Sequence, residues 1–332
     1  MTKHSEKIGF WEFEKEKCIF KVIGVGGFGS NTIKKLYNKG VTDAEIIAVG
    51  TCAPLLDFMD ADKKILIGKG LTRGLGCGGS PYKGREAANE SNADIKFLVA
   101  GAEIVFIVAG MGGGTGTGAA PVIAQAAKES GAIVVSYITM PLKMESSRLI
   151  KAKEGLQNML GVSDTLIVID NNWFDQHVER DNAYLAFEAG KELVSTLIKD
   201  FVELITLPSL VGLDYADIKD ILLKGKLSTV CVGESGTKNR AEESAKIALG
   251  NPLLDVTYEG AIGALITIIG GNDLTLDETY MVTETVEKSL NPSAKAVWGA
   301  KVIKEMTGKM RVAAIITGIE LPKIFRKDID GG

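Results

Sequence analysis

Short apolar runs alternate along the chain with longer stretches in which apolar residues recur at helical spacing. The runs at 20–25, 46–49, 64–67, 104–108, 133–138 and 166–169 are apolar at nearly every position, the pattern of strands covered on both faces. Between them the spacing predicts helices over 30–37, 85–99, 119–130 and 147–160, and a long glycine-rich loop over 68–84. Strands and helices alternating in this way imply right-handed crossovers and a parallel sheet. From 184 to 204 the pattern is helical without a break. After Pro208 a second region holds strand-like runs at 229–232, 263–270 and 312–317, with helices over 215–223, 239–249 and 276–289. The expected architecture is α/β. A parallel-sheet domain spans 20–183 and a central helix 184–207, leading to a smaller mixed α+β domain over 208–320. An N-terminal extension (1–19) and a tail (321–332) flank them.

Composition narrows the class. The sequence has 332 residues, 45% of them hydrophobic, so it can bury a core and is not globally disordered. Its 38 basic and 42 acidic residues leave a net charge of −4, with no electrostatic footprint for nucleic acid. Cys18, Cys52, Cys77 and Cys231 are far apart and form no CxxC pair, so neither a disulfide framework nor a zinc site is expected. His4 and His177 cannot build a metal site alone, and no metal-ligand set is expected. No run approaches the length of a bilayer span, and the N-terminus lacks the apolar region of a signal peptide. These features lead to the expectation of a cytoplasmic protein without membrane insertion.

Two glycine loops carry the chemistry. The first, Gly24 to Asn31, lies between a predicted strand and a predicted helix, and Gly24, Gly26 and Gly29 match GxGxxG. Glycines there let the backbone approach a phosphate, and a helix N-terminus offers free N–H groups to it. The dinucleotide fingerprint also needs an acidic residue ending the next strand. Val49-Gly50-Thr51-Cys52 supplies none, which argues against a nicotinamide oxidoreductase. The second loop, Ala109 to Gly118, has six glycines in the nine residues 110–118, with Thr115 and Thr117 as further donors. It reads as a nest for two or three phosphates on a helix dipole, and it is not a Walker A loop because no Gly-Lys-Ser/Thr follows.

The string GGGTGTG at 112–118 resembles the signature of the tubulin/FtsZ family. Similar stretches span about 20–320: GVGGFGSN (24–31), GKGLTRGLGCGGSPYKGREAA (68–88), DTLIVIDNN (164–172), LDYAD (213–217) and GGNDLTL (270–276). LTRGLG and the length resemble FtsZ rather than tubulin, and IDNN and VWGAK are similar to archaeal members. The resemblance implies a Rossmann-like GTPase domain, a central helix and a C-terminal domain. It implies GTP and GDP as ligands, with Mg2+ held through the phosphates. Head-to-tail self-association into protofilaments is implied too, which is the open assembly that a heterologous contact generates. The implied role is cell division in the cytoplasm at the division site, with other FtsZ paralogs and a membrane anchor protein as further partners.

Carried over residue by residue, the resemblance implies phosphate contacts at Gly26, Gly27, Phe28, Gly76, Gly110, Gly112, Gly113, Gly114, Thr115, Gly116, Thr117 and Gly118. Leu71 to Gly79 would form a loop over the phosphates. Asn31 would contact base or ribose, Glu145 the ribose and Asn171 the guanine; Arg148 retains one basic residue of the family's run, and Phe187 would stack on the base. Asp214 and Asp217 would enter the site of the next subunit as the catalytic pair. Their spacing of three at a helix start places both carboxylates on one face, where they can orient a water for attack on a γ-phosphate. The same positions also suit an N-cap at Asp214 with Asp217 in a capping-box-like place.

The departures from the family cluster at the nucleotide. Gly50-Thr51-Cys52-Ala53-Pro54 replaces an Asn-Thr-Asp-Ala-Gln stretch, and Pro54 removes an N–H donor. Lys191 stands where the family has an aspartate that accepts the guanine N–H groups, with Glu188 one turn earlier as a candidate substitute. Gly212 replaces an asparagine of the catalytic loop, and only residues 320–332 follow the last predicted strand, where the family carries a linker and an anchor-binding peptide. Two readings follow: an assembly-dependent GTPase, or a divergent paralog that assembles or regulates other FtsZ filaments with little or no hydrolysis.

Overall fold

The computed structural model describes residues 19–177, 183–207, 209–258 and 260–320, with residues 322 and 325. The expected N-terminal extension, most of the tail, His4, Cys18 and Pro208 lie outside the described residues. The chain opens with β1 (Phe20–Val25), α1 (Gly26–Asn38), β2 (Ala44–Gly50), α2 (Ala53–Asp57), β3 (Lys63–Leu66) and α3 (Lys69–Thr72). It continues with α4 (Pro81–Glu90), α5 (Asn92–Val99), β4 (Ile104–Gly110), α6 (Thr115–Glu129), β5 (Ile133–Met140), α7 (Ser146–Val162) and β6 (Thr165–Asp170). Then come α8 (Asn171–His177), α9 (Ala183–Thr206), α10 (Tyr215–Lys224), β7 (Lys226–Ser235) and α11 (Arg240–Gly250). The last elements are β8 (Gly263–Gly270), α12 (Leu276–Glu287), β9 (Lys295–Val302) and β10 (Met310–Thr317).

The strands form one sheet in the order β3-β2-β1-β4-β5-β6-β7-β10-β8-β9. From β3 to β7 every neighbouring pair is parallel. β10 runs antiparallel to both β7 and β8, and β9 lies parallel to β8. The two halves of the chain are therefore joined by strand pairing as well as by α9. β6 meets β7 over Thr165–Lys226, Leu166–Leu227 and Ile167–Ser228.

Each sheet face has its own core, because successive side chains of a strand point to opposite sides. Ile23 and Val25 of β1 pack with Val105, Ile107, Ala119 and Leu156 on one face. Phe20 and Val22 pack with Phe106, Tyr137, Ile198 and Phe201 on the other. Phe201 of α9 meets Phe106 edge to face at 5.4 Å, so the central helix lies on the second face. Lys21 is buried, yet its Nζ donates to the carbonyls of Leu98 and Ala100 at 2.7 and 2.9 Å, satisfying carbonyls at the end of α5.

Some elements differ from expectation for local reasons. α1 and α6 begin at Gly26 and Thr115, several residues before 30 and 119, because the glycine loops are themselves the first helical turns. The helix expected over 85–99 breaks at Ser91, whose backbone leaves helical geometry and whose Oγ accepts from Gly68 N at 3.0 Å. The loop expected over 68–84 contains α3 and the start of α4. β9 was not expected, because Lys295, Gly299 and Lys301 interrupt its apolar run. Pro54 falls in the first turn of the short α2, where a helix has no use for that N–H.

Candidate functional site

Strand order reverses between β2 and β4 on either side of β1, so the ends of β1 and β4 flank a topological switch point. Both glycine loops leave from those ends. α1 follows Val25 and α6 follows Gly114, and neither helix has a side-chain cap or an acidic residue in its first turn. Their leading N–H groups and positive dipole ends therefore face the crevice without a protein anion to neutralise them.

The glycines divide into two kinds. A Cβ on Gly29 would stand 2.1 Å from the Val108 carbonyl oxygen, and one on Gly116 would stand 2.5 Å from that of Gly110. These two glycines let each helix press against the strands. Gly26, at φ +71°, would place a Cβ 2.9 Å from Gly116 N, so the two loops touch through bare backbone. Gly27 and Gly113, by contrast, would place a Cβ in open space. Their lack of a side chain serves no protein packing.

A cavity of about 470 Å3 opens over these loops. It is lined by Gly27, Phe28, Asn31, Gly110, Gly113, Gly114, Thr115, Gly116, Glu145, Arg148 and Asn171 among the expected residues. A smaller adjoining hollow adds Gly26 and the Thr51–Cys52 turn. Thr51 and Thr115 bond through their hydroxyls at 2.8 Å, and Cys77 Sγ donates to Thr51 Oγ1 at 3.4 Å, tying the turn after β2 to the start of α6 and to the loop before α4.

Other expected residues lie elsewhere. Thr117 and Gly118 line a separate hollow of about 740 Å3 between α4, α5, α6 and α7. With α6 starting at Thr115, each further residue rotates about 100° around the axis and away from the first cavity. Thr117 Oγ1 instead accepts from Gly112 N at 2.8 Å and holds the loop's shape, while a Cβ on Gly118 would meet the Pro81 carbonyl oxygen at 2.0 Å. Gly112, at φ +93°, packs against Arg148 Cβ. Gly76 does not line either hollow of the site; its N–H donates to the Thr51 carbonyl at 2.9 Å and pins the 73–79 loop to the end of β2. Phe187 belongs to α9, but its side chain lies outside the described residues.

The charged lining is internally paired. Glu145 accepts from Leu142 N at 3.1 Å and from Arg148 Nη1 at 2.5 Å. Lys191 lines the cavity and is held by Glu188, which also accepts from Lys35 of α1 at 3.0 Å. These two lysines, Lys191 first, keep the Glu188 carboxylate below the usual range. Glu188, the candidate substitute acceptor, is thus tied to two lysines and is not among the residues that line the cavity. Met111, Thr139, Pro141 and Val25 also line the cavity and were not foreseen. The available signal was position, since each sits at or just past the end of β1, β4 or β5.

Asp214 and Asp217 are not among the residues lining this cavity. Asp214 caps α10, its Oδ1 accepting from Ala216 N at 2.8 Å. Asp217 does not complete a capping box; it pairs with Lys295 of β9, the edge strand farthest from β3. Within one chain, the carboxylate pair and the glycine loops stay apart. Among the described residues, no cluster of His, Cys, Asp and Glu is arranged to hold a metal ion, and no helix is long and apolar enough to cross a membrane.

Residues 19–179 match the profile of the Tubulin/FtsZ family GTPase domain, and residues 227–320 match that of the FtsZ family C-terminal domain. The chain is 46% identical over 320 residues to the cell division protein FtsZ 2 of Methanocaldococcus jannaschii, covering 96% of this chain and 84% of that protein. It is 44% identical over 304 residues to cell division protein FtsZ 2 of Haloferax volcanii, covering 92% of this chain and 76% of that one. An empty FtsZ dimer of M. jannaschii superimposes with a TM-score of 0.88 at 43% identity, covering 92% of this chain and 89% of that one.

Proposed function

The chain belongs to the tubulin/FtsZ family, as an FtsZ, and on that premise we propose that the cavity over its glycine loops binds GTP and that hydrolysis is completed at the contact between subunits. As an FtsZ it is a GTPase and a filament-forming cytoskeletal protein of cell division. The observation that carries the site assignment is the convergence of two helix N-termini, without side-chain caps, at the switch point, with open space at Gly27 and Gly113 for phosphate oxygens.

The residues divide the work by position. N–H groups of the α1 and α6 first turns hold the phosphates, and the Thr51–Thr115 hydroxyl pair braces the start of α6 against the turn after β2. Arg148, anchored by Glu145, supplies positive charge at the rim. Asn31 and Asn171 take the nucleoside. Mg2+ would be carried on the phosphates, since the cavity's own carboxylate, Glu145, is already held by Arg148. Asp214 and Asp217 of the next subunit would orient the attacking water, because phosphoryl transfer asks mainly for positioning and charge neutralisation. The separation of the aspartates from the cavity within one chain is what a shared site requires.

In this reading the GTPase unit spans 20–183, the central helix 184–207 and the second unit 208–320. Self-association runs head to tail, at the division site. An anchor protein and other FtsZ paralogs complete the partners. The test is displacement of a ribose-labelled fluorescent GDP by GTP, paired with turnover across protein concentration. Failure to bind GTP would remove the site assignment. Turnover independent of concentration would remove the shared site.

A further inference from the structure

Beside the glycine backbone, the cavity carries amide and ammonium side chains. Asn31 lies one turn into α1, Asn171 follows β6, and Lys191 projects from α9. The Lys191 side chain is mostly buried and hydrogen-bonds Glu188, which leaves two of its three N–H donors for whatever fills the cavity. Among the described residues, the one carboxylate that lines the cavity is Glu145, held by Arg148 and Leu142 N; Glu188, tied to Lys35 and Lys191, does not line it.

A guanine base has two edges of opposite character. Its N1–H and 2-amino group donate, whereas O6 and N7 accept. An ammonium cannot bond the donating edge. It fits the O6/N7 edge, the one lysine and arginine read on guanine in nucleic acids. We propose, on the reading that this cavity takes a purine nucleotide, that Lys191 recognises the O6/N7 edge of a 6-oxopurine and that the site is nearly indifferent to the group at purine position 2. Inosine nucleotides, which lack the 2-amino group, then bind like guanosine nucleotides. Adenine presents an amino donor at position 6 toward the ammonium and is rejected. The amide oxygens of Asn31 and Asn171 are neutral acceptors, and a 2-amino group bonded to one gains less than it would from an ionised carboxylate.

The experiment is displacement of ribose-labelled fluorescent GDP from the full chain by GTP, ITP and ATP. In the parent, ITP is expected within about threefold of GTP, and ATP at least about tenfold weaker. Lys191→Met is expected to weaken GTP and ITP together and to narrow their margin over ATP. Lys191→Asp is expected to create a preference for GTP over ITP of about tenfold or more, since a carboxylate accepts from both N1–H and the 2-amino group. A parent that already prefers GTP over ITP by tenfold overturns the proposal and leaves the nucleotide site standing. A parent that binds no labelled GDP overturns the nucleotide reading itself, and the proposal with it. The parent measurement needs no variant to fold.

Discussion

Asp217, at the third position of α10, accepts a 2.6 Å hydrogen bond from Lys295 at the start of β9. Three residues earlier, Asp214 caps the same helix. The pair thus has local structural duties that coexist with the proposed role at a neighbouring subunit, and substitutions can separate the two.

Asp214→Asn keeps an oxygen acceptor for Ala216 N, whereas Asp214→Ala loses the cap at a cost of about 1 kcal/mol. Thermal melting is expected to distinguish the two variants. GTP turnover is expected to fall at least about tenfold in both, because the proposed chemistry needs the charge and not the cap. An Asp214→Asn variant with parental turnover would reduce Asp214 to a capping residue.

Asp217→Asn removes the charge that Lys295 pairs with. Both side chains are nearly half exposed, so little change in melting temperature is expected. Turnover is expected to drop at least about tenfold. A parental rate would confine Asp217 to its surface ion pair.

The glycines offer a second separation. Gly29→Ala drives a methyl to 2.1 Å from the Val108 carbonyl oxygen and is expected to destabilise the fold by about 1–3 kcal/mol. Gly27→Ala and Gly113→Ala meet no protein atom within 4 Å and are expected to melt like the parent. They are nonetheless expected to bind GTP at least about tenfold more weakly, because the methyl stands where phosphate oxygens would lie. Unchanged affinity in both variants would move the phosphates elsewhere.

Glu188 provides a pH signature. Hydrogen bonds from Lys191 and Lys35 depress its pKa below the ordinary 4.5. A carboxylate with a depressed folded pKa contributes stability in full above its unfolded pKa, and that contribution disappears as pH falls through the folded value. Melting temperature against pH is expected to show this loss on the acid side, and Glu188→Gln is expected to flatten it. Identical acid limbs would mean that the ties from α1 and α9 to Glu188 contribute nothing measurable.

The α/β class and the parallel strands were legible because β1, β4, β5 and β6 are covered on both faces and read as unbroken apolar runs. The phosphate loops were legible because few other roles call for six glycines between 110 and 118. What those glycines do singly was not. Gly27 and Gly29 are two positions apart, yet one faces open space and the other a carbonyl oxygen, a distinction made by packing across the sheet. Thr117 was expected at the phosphates and instead braces Gly112, because the helix starts earlier than its apolar pattern indicates. β9 was hidden for a similar reason. This edge strand carries Lys295 at an exposed position and Lys301 paired with Glu203 of α9, and so loses the apolar signature of a central strand. The fate of Glu188 depended on Lys35, more than 150 positions earlier in the chain, which no local reading connects to it.

The most direct test of the shared site is GTP turnover measured across a range of protein concentrations, with light scattering on the same samples. Turnover per subunit that rises with concentration and in step with scattering is the predicted result. Turnover per subunit that stays constant on dilution would contradict it, since one chain would then hydrolyse GTP without the Asp214 and Asp217 of a neighbour.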